Sequence, residues 1–179
     1  SVFTSAASAR QEAGPVPLRV DQVSAETLAG SWVPLFEGVE HLALAAEEPR
    51  LLRGQALRID LEAPGVRVFV SPSNGERPLE ADSVTTSRFL REHRLQAAIN
   101  AAPFGPVVGV EGVPQDVVGL AVSEGEVVSS PHEGYGAVLF GPGRRARLVE
   151  QTPELDLRGV TQACGGFRVL IREGQNVAQ

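Results

Sequence analysis

Methionine and lysine are missing from this chain, and cysteine, tryptophan and tyrosine occur once each. All sixteen basic residues are therefore arginine, which reads first as the codon bias of a GC-rich genome. A lone Cys164 excludes a disulfide framework within the chain and a cysteine-based metal cluster. No stretch approaches the roughly 20 apolar residues that a membrane-spanning helix needs. No Walker or dinucleotide-binding glycine pattern is present, His41 and His93 stand without a cluster around them, and no feature asks for a cofactor. Positive charge is in deficit: the net charge of -6 argues against nucleic acid or an anionic membrane as the main partner. Without methionine, the first residue is not a start codon. The Ser/Ala-rich opening, Ser1 to Ala9, fits the remnant of a processed secretory precursor or a start introduced for recombinant expression.

What is abundant is glycine (19) and proline (13), in 179 residues that are 42% hydrophobic. That composition belongs to a globular chain with many turns and short strands, of a length that suits one domain. Residues 1–31 read as an N-terminal arm and 32–179 as the domain. Within it, Leu57, Ile59 and Leu61 alternate with Arg58, Asp60 and Glu62. Pro64-Gly65 then turns the chain toward a second alternation, Val66, Val68 and Val70, so the pair reads as a hairpin. Thr85 or Thr86 can cap a helix carrying Phe89, Leu90 and His93 on one face. Further strands are expected at Ala137–Phe140, Arg147–Gln151 and Val169–Arg172, the first two joined by Gly141-Pro142-Gly143. Glu173-Gly174-Gln175-Asn176 reads as a hairpin turn with Val177-Ala178 starting a returning strand. The expected class is α+β: a strand-rich, mixed sheet core with few helices. A strand edge left open at the last residues makes it read as part of a larger domain, completed by a second chain or a C-terminal portion.

The organising stretch is Leu95–Val128. Ala97-Ala98-Ile99 reads as a buried strand ending at Asn100, a Pro/Gly-rich loop runs from Pro103 to Pro114, and a second apolar run follows from Val117 to Val122. The turn Ser123-Glu124-Gly125-Glu126 then leads into Val127-Val128. Strand ends around an irregular loop are a common setting for a ligand site. Asn100 can hold a sugar hydroxyl or phosphate oxygen through its amide, or simply cap the strand end. Asp116 and Glu111 are loop carboxylates placed for general acid and base work. Gly165-Gly166 can turn backbone N–H groups toward an anion, or make a tight bend before a strand. Arg168 just beyond can pair with phosphate, or face solvent from a strand. Cys164 with His132 as base makes a thiol nucleophile a minor option beside a small buried cysteine.

Ala98-Ile99-Asn100 with Phe104, then Gly119-Leu120-Ala121-Val122-Ser123-Glu124-Gly125, then Gly165-Gly166-Phe167-Arg168-Val169-Leu170-Ile171-Arg172-Glu173-Gly174, follow one another in an order that resembles the phosphodiester glycosidase (uncovering-enzyme-like) family. The likeness runs from about Trp32 to the end. It implies hydrolysis of a sugar-1-phosphodiester by a secreted, periplasmic or envelope protein, with Asn100 and Gly165-Gly166 holding substrate. It also implies Arg-Thr-Ala and Asp-Gly-Gly motifs further on, and neither occurs in these residues. Ala101-Ala102-Pro103 stands where relatives carry Gly-Gly and an aromatic. Added β-carbons and a missing N–H there hinder approach of a phosphate to the backbone. The alternative expectation is therefore a catalytically inactive domain of the same fold that binds carbohydrate or protein.

Overall fold

The computed structural model describes residues 30–47 and 51–178; the expected N-terminal arm lies almost wholly outside them. The described chain divides into two compact units, residues 30–66 and 67–178. Among the described residues there are thirteen strands, grouped in several sheets, and one short helix. The protein is mostly β.

The first unit is a three-stranded meander of β1 (Val33–Phe36), β2 (Val39–Ala46) and β3 (Leu52–Ile59), paired antiparallel in that order. Its tight connection at Glu37-Gly38 needs glycine. Gly38 has φ +71, and a β-carbon there would sit 2.5 Å from the Ala63 methyl. The alternation pattern predicts the Val66–Val70 segment as the partner of β3. Instead β3 pairs with β2 along its whole length, from Val39↔Ile59 to Ala46↔Leu52, and Leu61 lies in a turn. Val66, Val68 and Val70 form no strand. The Val70 N–H donates to Gln162 Oε1 (2.9 Å) and the Val70 carbonyl accepts from Ser123 Oγ (2.7 Å), so side chains take the groups that a ladder would have used.

The second unit is built on a five-stranded sheet. Its members are β7 (Ala121–Ser123), β8 (Glu126–Ser129), β9 (Gly136–Phe140), β10 (Ala146–Glu150) and β11 (Gln162–Gly165), in the order β10-β9-β11-β7-β8. Glu124-Gly125 closes the β7–β8 hairpin with both residues at positive φ, the turn that matches strand twist. Leu120, Val122, Ala137, Leu139, Val160 and Ala163 make the core, with Val149, Leu155 and Leu157 packed against it. A smaller sheet, β4 (Ala81–Asp82), β6 (Pro114–Val117) and β5 (Phe104–Gly105), runs in the order β4-β6-β5. The last hairpin pairs β12 (Ile171–Arg172) with β13 (Gln175–Asn176). It is shorter than the expected Val169–Arg172 strand, and it returns before Val177. Every strand pair among the described residues is antiparallel, so the expected mixed sheet is corrected to antiparallel ladders.

The helix α1 (Thr86–Glu92) is where its sequence places it, with Thr85 as N-cap accepting from the Arg88 N–H. Phe89 and His93, four residues apart, meet at 4.5 Å between ring centroids, and both rings lie against Phe69. Arg94 at φ +52 and a Leu95 N–H donating to the Leu90 carbonyl end the helix in a Schellman-type cap. The chain beyond it is not the expected buried strand. Ala97–Asn100 joins no ladder, and Ile99 is 79% exposed. No partner strand reaches this run, so its hydrophobicity alone does not bury it. The Val117–Val122 run is likewise split between β6 and β7 by Val118 to Leu120.

Candidate functional site

The expected site residues fall on separate elements. Asn100 is exposed on the irregular segment between α1 and β5. Asp116 is exposed on β6, directly opposite Gly105 of β5. Gly165 ends β11 in the other sheet, Gly166 follows it, and Arg168 is exposed two residues further on. The Gly166 N–H donates to the Gly136 carbonyl (2.8 Å) and is thus engaged within the protein. Gly165 is buried. A β-carbon on it would lie 3.2 Å from Gln151 Nε2 and from the Leu120 backbone N and O. Glycine there answers to packing.

Cys164 sits in mid-ladder opposite Val138 and Ala121. Burial pushes its thiol up from the ordinary value, the direction opposite to an activated nucleophile. Glu111 is engaged structurally, its carboxylate accepting from the Thr85 N–H (2.9 Å) and from Arg88 Nη1 (2.9 Å). It clamps the loop to the start of α1. The Thr85 hydrogen bonds first, then the Arg88 guanidinium, hold its carboxyl down at about 2 against an ordinary 4.5. A depressed pKa gives stability that is complete above about pH 4.5 and is lost as pH falls toward 2. Glu111→Gln is therefore expected to flatten the fall in stability across that window. Urea midpoints that drop just as steeply in wild type and variant would remove Glu111 from this role.

The most developed constellation is one the sequence did not announce. Gln151, 1% exposed, follows β10 and acts as a three-way clamp. Its Oε1 accepts from the Leu120 N–H and the His132 N–H, both at 2.8 Å, and its Nε2 donates to the Gly136 carbonyl at 2.7 Å. Its own N–H donates to the Tyr135 carbonyl at 2.7 Å. The loop 132–136 is thus pinned to the sheet by one side chain. That fixes the His132 ring over Tyr135, 4.2 Å between centroids and 26° between planes. The Gly136 N–H donates to the Phe167 carbonyl (2.8 Å), which brings Phe167 to 5.8 Å from Tyr135. The result is a ladder of three rings ending at Phe167, which is 69% exposed.

An open cleft of about 450 Å³ is lined by Gly134, Glu150, Arg168, Arg172 and Val177 among others; none of the three rings lines it, and it adjoins the ladder only through chain neighbours. Gly134 and Arg168 are the chain neighbours of Tyr135 and Phe167. Arg172 is engaged by Glu150 across the cleft wall, whereas Arg168 carries no ion pair among those described. The arrangement offers a flat apolar face, a concave wall and a guanidinium. Tyr135 is the chain's single tyrosine, and three rings at positions 132, 135 and 167 form no sequence pattern. Their only advance signal is the scarcity of aromatics elsewhere.

Among the described residues, the carboxylates that depart from their ordinary values move down: Glu40 and Asp156 through hydrogen bonds from arginine, Glu111 as above. No group of three or more His, Cys, Asp or Glu side chains among the described residues is placed to hold a metal ion. No described helix is long and apolar enough to cross a membrane. No protein-family model, curated protein or solved structure matches this chain.

Proposed function

We propose that residues 67–178 form a carbohydrate-binding module that holds a phosphorylated glycan without cleaving it. The observation that carries the reading is the ring ladder His132–Tyr135–Phe167, ending in an exposed ring beside a cleft that presents Arg168. The apolar face of a pyranose packs on such a ring, and a phosphate suits a guanidinium fork. Gln151 gives the platform the rigidity that keeps the entropy cost of binding low. The setting that goes with this reading is extracellular, periplasmic or in the cell envelope, where glycan phosphodiesters occur. The test is titration calorimetry with an alkyl phosphodiester of N-acetylglucosamine-1-phosphate, with free phosphate release followed in the same sample.

A second reading, hydrolysis of the sugar-1-phosphodiester, draws on one feature. Asp116 is exposed opposite Gly105, where even a β-carbon would meet nothing within 4 Å, so a substrate has access to the carboxylate. Turnover that vanishes in Asp116→Asn would establish it in place of the binding module.

A further inference from the structure

Four of the sixteen arginines fall within fifteen residues, Arg144, Arg145, Arg147 and Arg158, in a chain whose net charge is -6. The fold gathers three of them around one concavity. Arg145, Arg147 and Arg158 line a cleft of about 430 Å³ whose remaining wall includes Leu139, Pro142 and Val160. Two structural facts make this more than a charged surface. Arg147 on edge strand β10 stands directly opposite Leu139 and shares its face, and Arg145, just before the strand begins, lines the same cleft. Arg158 is held by Asp156 through Nε and Nη2 contacts of 2.7 to 3.1 Å. The pair orients the guanidinium while leaving the Arg158 side chain 91% exposed.

Asp156 is the carboxylate paired with this group; it is bound to Arg158 and also feels the charge of Arg147. Arg145 and Arg147 have no ion pair among those described, so the cleft keeps a surplus of positive charge. Planar guanidinium donors converging on a concave site are suited to tetrahedral oxyanions, which they grip through paired N–H donors.

We infer that the cleft between the β9–β10 hairpin and residues 156–160 is a second ligand site, which takes a compound bearing two neighbouring phosphate or sulfate groups. It stands on different residues from the ring ladder and holds whether or not that platform binds glycan.

The test is calorimetric titration of the whole chain with inorganic pyrophosphate and, separately, with a disulfated disaccharide. The double variant Arg145→Ser/Arg147→Ser and the control Arg53→Ser, which lies in the other unit, are titrated in parallel, with circular dichroism confirming that all fold. Binding of either probe that weakens with salt, drops at least about tenfold in the double variant and is unchanged in the control is the expected result. The probe bound more tightly identifies the phosphate or the sulfate source. Failure of both probes to bind, or equal affinity in the double variant, overturns the proposal.

Discussion

Replacing Gln151 with leucine is expected to lower the stability of the 67–178 unit by about 3 kcal/mol or more. Leucine fills a similar volume, so the loss is one of hydrogen bonding rather than of a cavity. The Leu120 N–H, in a residue fully buried in the core, and the His132 N–H both lose their acceptor, while the Gly136 carbonyl loses a donor. A buried donor left unmade costs about 1–3 kcal/mol, more than a formed bond contributes. The damage also spreads, because the same side chain pins the loop bearing His132 and Tyr135, and the ring ladder should lose its order with it. Urea unfolding followed by circular dichroism reads the first effect, and the tyrosine environment in near-ultraviolet dichroism reads the second. A Gln151→Leu variant within about 0.5 kcal/mol of wild type would show that the carboxamide is not the clamp.

Gly165→Ala should be the second costly change, and Gly166→Ala a mild one. At Gly165 the added methyl meets the Leu120 backbone and Gln151 Nε2 at 3.2 Å, closer than ordinary contact, in a sheet that cannot easily yield. Overpacking of this kind costs about 1–3 kcal/mol. At Gly166 the same methyl meets nothing within 4 Å, and the change should stay within about 0.5 kcal/mol. The contrast separates two roles for this pair. If the glycines served to present amides to a phosphate, both variants would fold with wild-type stability and both would bind phosphodiester more weakly. Paired denaturation curves showing equal stability at the two positions would sink the packing account.

The sequence made some of this legible, and the reasons are local. Thr85 with the 89/93 spacing marks a helix because capping and the i,i+4 neighbour relation are written in short windows. The Ser123–Glu126 and Gly141–Gly143 turns are readable for the same reason: glycine placement dictates backbone sign. Strand partners are not. The Leu57/Ile59 alternation names a strand but not its neighbour, and β2 takes the place that the pattern offers to the Val66–Val70 segment. Ala97-Ala98-Ile99 has strand composition without a ladder to join, so Ile99 ends up exposed. Asn100 and Asp116 fall on other elements than Gly165, Gly166 and Arg168, and no short window of sequence tells which of them meet. Gln151 is visible only as the last residue of a strand, since nothing in one residue's neighbours tells that three distant backbone groups converge on it. Tyr135 and Phe167 meet through the Gly136–Phe167 backbone bond, a pairing across more than thirty residues that no periodicity announces.

The most direct test of the proposed platform is titration of wild type, Phe167→Ala and Arg168→Ser with the alkyl phosphodiester of N-acetylglucosamine-1-phosphate, with product release monitored throughout. Removing the exposed ring or the guanidinium should each weaken binding by about fivefold to tenfold, with folding unchanged and no product formed. Equal affinity in all three proteins, no binding by wild type, or steady product release would contradict the reading of this unit as a glycan-binding module.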